Sequence, residues 1–159
     1  MQLVLKRKMT QDVNLNELSA GTVFRFFKNK TLEQSVNDSN IYIMGEKNRN
    51  GFLCTQLSED CAIIKRHGPY AGYVVNCKIK TVVDTCKQNK VPLGGISVGS
   101  IVMLYLGNNE FSDEVYMIAN NPLEKKLISL VNLETGQITE VSDDVQAVVI
   151  DARLIIKDK

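Results

Sequence analysis

The sequence predicts a mostly β protein: two similar small antiparallel β-barrels in tandem, Src-homology-3-like or related, with one or two short helical turns. Three observations support this fold class: short β-branched and aromatic segments, turn clusters between them, and a segment order that recurs after about 77 residues. With 159 residues, of which 44% are hydrophobic and 23% charged, the chain can form one ordinary domain or two very small ones.

Short strands are the dominant signal in both halves of the chain. Each candidate is rich in Val, Ile, Thr, Tyr or Phe, which favour extended backbone. The candidate strands are residues 22–27, 41–44, 51–57 and 73–80, then 100–106, 114–119, 126–132, 138–141 and 145–156. Gly51 and Gly136 mark hairpin turns, because glycine readily adopts positive φ. Residues 32–36 and 82–89 are the candidates for short helical turns.

The two halves carry matching segments in the same order. Residues 18–24 match 96–102, which aligns Gly21 with Gly99, each just before a strand. The other matches are 41–44 with 115–118, 55–57 with 131–133, and 75–80 with 152–157. We therefore expect a first β-barrel unit with an N-terminal extension over residues 1–88, a linker over 89–95, and a second unit over 96–159. Each unit alone would have a marginal core, so we expect the units to pack together or the chain to form a homo-oligomer.

Charge is divided unevenly along the chain. Residues 1–90 hold 14 Lys and Arg against 8 Asp and Glu, whereas residues 91–159 hold 5 against 10. Such a division can direct a chain toward an anionic partner or let copies meet basic end to acidic end, and it also arises as ordinary variation of surface charge. The whole chain is less basic than a general nucleic-acid binder and less acidic than a DNA mimic.

The sequence shows neither an export signal nor a metal-binding motif. No apolar run approaches the roughly 18–20 residues of a bilayer span, and the N-terminus lacks a secretory pattern, so we expect a cytoplasmic protein with no membrane partner. The cysteines form no C-x2-C pair and His67 is the single histidine, so we expect no metal site. The four cysteines are Cys54, Cys61, Cys77 and Cys86. Without export, disulfides are not expected.

The segment from Ile64 to Tyr73 combines positively charged side chains with the single histidine and two tyrosines. Its candidate ligand-binding residues are Lys65, Arg66, His67, Tyr70 and Tyr73. Lysine and arginine neutralise anionic oxygens, and a tyrosine ring can stack on a planar base. The corresponding residues 139–145 of the second half are acidic, so the halves differ most where a ligand would be held. The simpler interpretation is an ordinary exposed hairpin loop.

No catalytic residue is predicted, and we expect the chain not to be an enzyme. A Ser-His-Asp or Cys-His set would have to use His67, because there is no other histidine. Residues 92–99 are glycine-rich but lack dinucleotide-binding spacing, and no phosphate-binding loop motif occurs, so no cofactor is predicted.

Three segments carry a family resemblance: Gly-Thr-Val-Phe-Arg-Phe at residues 21–26, Val-Tyr-Met at 115–117, and Val-Asn-Leu-Glu-Thr-Gly at 131–136. These segments resemble small β-barrel accessory proteins of tailed bacteriophages. The resemblance implies a protein that acts in the host cytoplasm by binding host machinery, and some such proteins inhibit bacterial defence. Its motifs are strand and turn patterns, and they imply no catalytic residue.

Three functional hypotheses follow from these observations. The leading one is a non-enzymatic phage accessory protein that binds and inhibits or sequesters a host component, either a host protein or a small anionic signalling nucleotide. The chain is similar to nucleotide-sequestering sponge proteins in size, β content and expected oligomerisation. The first alternative is a nucleic-acid-binding β-barrel that uses Lys6, Arg7, Lys8, Lys28 and Lys30 with Phe26 or Phe27. The least favoured is a small hydrolase that uses His67.

Overall fold

Strands dominate the computed structural model, which describes residues 13–26, 41–49, 51–57, 60–66, 71–75, 77–82, 89–122 and 126–156. The mostly β, antiparallel fold class is confirmed in these ranges. The helical structure within them consists of two 3-10 turns, at Leu15–Glu17 and Leu93–Gly95. The helical turn expected at residues 32–36 lies outside the described residues. The helical turn expected at residues 82–89 lies mostly outside the described residues. Its first residue, Val82, is the last residue of a strand.

The described strands form two antiparallel sheets. The strands are β1 (Val13–Asn14), β2 (Val23–Phe26), β3 (Tyr42–Asn48), β4 (Gly51–Gln56), β5 (Ile63–Arg66), β6 (Ala71–Val74), β7 (Cys77–Val82), β8 (Val91–Pro92), β9 (Ile101–Gly107), β10 (Glu110–Phe111), β11 (Tyr116–Ala119), β12 (Ile128–Asn132), β13 (Ile138–Val141) and β14 (Gln146–Ile156). The N-terminal sheet has the order β1-β6-β2-β3-β4-β5. The C-terminal sheet has the order β13-β12-β11-β9-β14-β7, with β8 also paired to β14 and β10 to β9.

The C-terminal sheet repeats the N-terminal one strand by strand. Its path β8-β14-β9-β11-β12-β13 corresponds to β1-β6-β2-β3-β4-β5. The amide of Gly21 donates a hydrogen bond to the Met44 carbonyl at 2.8 Å, and the amide of Gly99 donates to the Ile118 carbonyl at 2.7 Å. The internal repeat expected from the sequence is therefore present in strand order and in hydrogen bonding.

One of the four matched segments was aligned wrongly. Val74 lies opposite Phe24, and Val149 lies opposite Val102, which is the counterpart of Phe24. Strand β6 therefore corresponds to the start of β14 at a separation of 75 residues, whereas the match of 75–80 with 152–157 implied 77. A shift of two residues leaves the inward and outward alternation of a strand unchanged, so the sequence pattern could not detect it.

Residues 89–95 were expected to link the two units. Residues 91–92 form β8, which pairs with β14, and the turn at 93–95 buries Leu93 in the C-terminal sheet. These two elements are the counterparts of β1 and of the turn at Leu15–Glu17. The division into two domains, and the closure of either sheet into a complete barrel, stay predictions.

Three apolar clusters hold the sheets together. Each sheet has its own cluster, and four positions of one correspond to four of the other. Leu15, Phe24, Met44 and Cys54 in the first cluster correspond to Leu93, Val102, Ile118 and Leu130 in the second; Phe52 completes the first cluster and Ala147 the second. The third cluster is shared by both sheets: Val23, Ile41, Ile43, Ile63 and Val75 pack with Ala119 and Val131. Burial of such side chains stabilises the fold by about 1.5–3 kcal/mol each, so the shared cluster joins the two sheets firmly.

The contact between the sheets has an approximate two-fold symmetry. Cys61 precedes β5 and Gly136 precedes β13, and both have positive φ, at 50° and 73°. A Cβ atom added to Gly99 would lie 3.3 Å from the Sγ of Cys61, while Gly136 packs against Gly21. Cys61 of the N-terminal sheet therefore packs against Gly99 of the C-terminal sheet, and its counterpart Gly136 packs against Gly21, the counterpart of Gly99.

Candidate functional site

Lys65 and Arg66 lie at the end of β5, an edge strand of the N-terminal sheet as described. Lys65 is exposed and Arg66 is half-buried. The Arg66 guanidinium donates a hydrogen bond to the Lys65 carbonyl at 3.3 Å. The two cations stand on opposite faces of β5, because Lys65 lies opposite Leu53 and Arg66 lies opposite Phe52. Each can neutralise an anionic group that approaches the strand end from its own side.

Arg66 lies directly opposite Phe52 on β4, so the two residues share one face of the sheet. Phe52 belongs to a cluster of four aromatic rings, Phe24, Phe26, Tyr42 and Phe52. Within this aromatic cluster, Phe24 and Phe52 are buried, whereas Phe26 and Tyr42 are half-buried. The partly accessible rings and the guanidinium therefore occupy the same face of the sheet, and such groups can hold a planar anionic ligand.

The aromatic cluster is tightly ordered. The rings of Phe26 and Tyr42 meet edge to face with their centroids 4.9 Å apart. Those of Phe24 and Phe26 meet at 80° and 5.2 Å, and those of Phe26 and Phe52 stack at 6.3 Å. Such pairs add about 0.5–1.5 kcal/mol each beyond burial, so the cluster presents rings in fixed orientations.

The remaining predicted ligand-binding residues are only partly described. Tyr73 lies in β6, opposite Arg25 in backbone register. His67 and Tyr70 lie outside the described residues. Only four residues separate β5 from β6, and a fully extended chain covers about 18 Å over that interval. Four strand spacings in a flat sheet would take about 19 Å, so curling of the N-terminal sheet brings β6 toward β5.

The C-terminal sheet carries different chemistry at the same positions. Lys65 corresponds to Glu140. Lys65 lies opposite Leu53, Glu140 lies opposite Ser129, and Leu53 and Ser129 occupy equivalent positions of β4 and β12. Arg66 likewise corresponds to Val141, and Phe52 to Ile128. The cation pair and the ring beside it are therefore replaced by an acid and two aliphatic side chains on an otherwise repeated framework.

The core next to Arg66 also sets the chemistry of a cysteine. Burial raises the pKa of the Cys54 thiol to about 12, although the Arg66 charge acts in the opposite direction. Cys54 is fully buried and has a free thiol. It therefore acts as a small apolar core residue at neutral pH and not as a nucleophile.

The residues of the two alternative hypotheses are mostly outside the described part. This holds for Lys6, Arg7, Lys8, Phe27, Lys28 and Lys30 of the nucleic-acid hypothesis and for His67 of the hydrolase hypothesis. Phe26 is described and belongs to the aromatic cluster. Within the described ranges, no group of three or more His, Cys, Asp and Glu residues could hold a metal ion.

The sequence analysis did not group the four rings of the aromatic cluster. Their alternate spacing in β2 was visible as a strand pattern, as was the position of Tyr42 in the next strand. The grouping depends on which strands are neighbours, and β2-β3-β4 adjacency became known only from the sheet order.

Comparisons with protein-family models, with curated proteins and with solved structures found no match to this chain. Among the residues that the structure describes, no helix has the length and apolar character needed to cross a membrane.

Proposed function

We propose that the chain is a non-enzymatic binding protein that captures an anionic nucleotide beside β5. Arg66 would neutralise the phosphate on the ring face, Lys65 would add positive charge at the same strand end, and the half-buried rings of Phe26 and Tyr42 would lie against the base. The supporting observation is that Arg66 shares a sheet face with the aromatic cluster, whereas the C-terminal sheet has Val141 and Ile128 in place of Arg66 and Phe52.

The resemblance to phage accessory proteins gives this proposal a biological setting. In that setting the captured nucleotide would be a signal made by the host, and holding it would inhibit a host response without changing it chemically. A host protein that presents an anionic surface would be the second class of target for the same cations.

Thermal unfolding in the presence of mononucleotides and cyclic dinucleotides tests the proposal. At a ligand concentration of 100 times Kd, binding stabilises a protein by about 2.7 kcal/mol, which corresponds to roughly 5–10 °C for a chain of this size. The ligand should be released with unchanged mass after heating, which separates capture from catalysis.

The test variant is Lys65→Glu with Arg66→Val, which introduces the residues found at the corresponding positions of β13. It should unfold like the native protein without ligand and should lose the thermal shift. Lys90→Glu, at an exposed lysine just before β8, reverses a charge away from β5 and should keep the shift. A shift retained by the double variant, or absent with every nucleotide, would contradict the proposal.

A further inference from the structure

A lysine of β3 adds a second cation to the sheet face that carries Arg66. Lys47 lies directly opposite Phe52 on β4, and Phe52 lies directly opposite Arg66 on β5. Directly opposite residues share a face, so these three residues form a row across three strands, which we call the cation row. The Cα atoms of its two cations are two strand spacings apart, about 10 Å.

A β-bulge places the lysine on this face. The register of β3 with β4 shifts between Met44 and Lys47, and β3 has one residue more than β4 in that interval. Without the extra residue Glu46 would lie opposite Phe52, because successive side chains point to opposite faces. The bulge therefore places a cation in the row where regular pairing would place a carboxylate. Bulges that redirect a side chain often occur beside binding and active sites.

Main-chain carbonyl groups of two different segments hold the cations of the row. The Lys47 ammonium donates a hydrogen bond to the Asn16 carbonyl at 3.1 Å, and the Arg66 guanidinium donates to the Lys65 carbonyl. Among the described residues, neither Lys47 nor Arg66 forms an ion pair with a carboxylate. Each side chain keeps further N–H donors for anionic oxygens. The row therefore presents two separate positive charges, one on each side of Phe52.

The C-terminal sheet has neither cation at the corresponding positions. Val141 lies where Arg66 lies in the first copy. Asn121 corresponds to Lys47, since each is the third residue after the carbonyl that accepts the amide of the glycine turn. The Asn121 amide donates to the Glu140 carboxylate at 3.4 Å. Both cations of the row therefore belong to the first copy only, on a strand framework that the two copies share.

We infer that the cation row selects nucleotides with two phosphate groups on opposite sides of a ribose, the class that includes cyclic dinucleotides and nucleoside 3′,5′-bisphosphates. Arg66 binds one phosphate group and Lys47 the other. The rings of Phe26 and Tyr42 lie against the base as in the proposed function, on which this inference rests. In a nucleoside 5′-diphosphate a shared oxygen joins the two phosphate groups, so they span less of the row.

Isothermal titration calorimetry of the full chain with adenosine 3′,5′-bisphosphate, its isomer adenosine 5′-diphosphate, and adenosine 5′-monophosphate tests this selection. The bisphosphate should bind at least about tenfold more tightly than the diphosphate, the gain from one further charge-assisted hydrogen bond. Lys47→Gln should abolish this preference and leave the Kd of the monophosphate unchanged, because Lys47 contacts only the second phosphate. Lys47→Arg keeps a cation in the row and should keep the preference.

Arg49→Gln is the matched control, because it removes one positive charge from an exposed residue of the same hairpin outside the cation row. It should leave all three dissociation constants unchanged. The inference is wrong if the native chain binds the bisphosphate and the diphosphate equally, a comparison that does not depend on the folding of any variant. It is also wrong if Lys47→Gln and Arg49→Gln weaken binding to the same extent.

The same titrations separate failure of this inference from failure of the proposed function. If the native chain binds none of the three nucleotides and no cyclic dinucleotide, both are wrong. If it binds the monophosphate and shows no preference for the bisphosphate, capture of a nucleotide beside β5 stands and selection by Lys47 is refuted.

Discussion

Gly136→Ala is the substitution that most directly tests the contact between the two sheets. A Cβ atom at this position would overlap the Met44 carbonyl oxygen and would lie 2.9 Å from its carbon and 3.1 Å from the Gly21 nitrogen. The Met44 carbonyl cannot move away freely, because it accepts the hydrogen bond of the Gly21 amide. The turn between β12 and β13 must therefore retreat from the N-terminal sheet.

The expected cost has three parts. An alanine at positive φ costs about 1–2 kcal/mol, overpacking about 1–3 kcal/mol, and a weakened backbone hydrogen bond about 1 kcal/mol. Together these lower the free energy of unfolding by about 3–6 kcal/mol, a large share of the 5–15 kcal/mol typical of a folded domain. At about 2–4 °C per kcal/mol, the unfolding temperature should fall by roughly 6–24 °C.

Gly107→Ala supplies the matched control. Gly107 has φ of 96°, and no described atom lies within 4 Å of its added Cβ, so only the backbone penalty applies. Urea unfolding followed by circular dichroism measures both variants, and Gly136→Ala should be at least 2 kcal/mol less stable than Gly107→Ala. A difference below about 0.5 kcal/mol would show that the sheets are not in the contact described.

Two further expectations concern the core. Thr55→Val should raise the free energy of unfolding by about 1 kcal/mol, because the buried Thr55 hydroxyl has no hydrogen-bond partner among the described residues. Val131 occupies the corresponding buried position of the C-terminal sheet. Val131→Thr should therefore lower the free energy of unfolding by about 1–3 kcal/mol. Stability should also fall above pH 9, the ordinary pKa of a thiol, because the unfolded chain releases the Cys54 proton there while the folded chain holds it to about pH 12. In chemical unfolding between pH 8 and 11, Cys54 alone contributes a slope of up to about 1.4 kcal/mol per pH unit, and Cys54→Ala should remove that contribution between pH 9 and 10. Above pH 10, Tyr116 adds to the loss, because burial and its hydrogen bond to Glu114 raise its pKa to about 12.

The local elements of the fold could be predicted because their causes are local. Gly51 and Gly136 supply positive φ at the hairpin turns, and strands of alternating apolar residues follow from side-chain periodicity. The connector at 89–95 was harder to interpret, since Pro92 and the following glycines are typical of a loop. Its structure depends on Val91 pairing with Ala147, a contact with a segment more than fifty residues away.

The candidate site could be predicted only in part, for the same reason. Lys65 and Arg66 were visible as adjacent charges, and the acidic counterpart in the second half was visible as a contrast. That Arg66 shares a face with Phe52 depends on the register of β4 with β5, which a shift of one residue would reverse. The aromatic side of the site is therefore a property of sheet order and register, and single-sequence periodicity does not contain it.

The distribution of similarity between the halves separates the contact between the sheets from the proposed ligand site. At the contact between the sheets, the corresponding residues remain compatible: Gly21 with Gly99, and Cys61 with Gly136 at positive φ. Away from that contact the charge at corresponding positions reverses: the second half has Glu140 where the first has Lys65. A shared interface constrains both copies at once, because each copy packs against the other's equivalent turn. A ligand site places demands on one copy only, so the second copy is free to become acidic and aliphatic there while the framework that positions the first is retained.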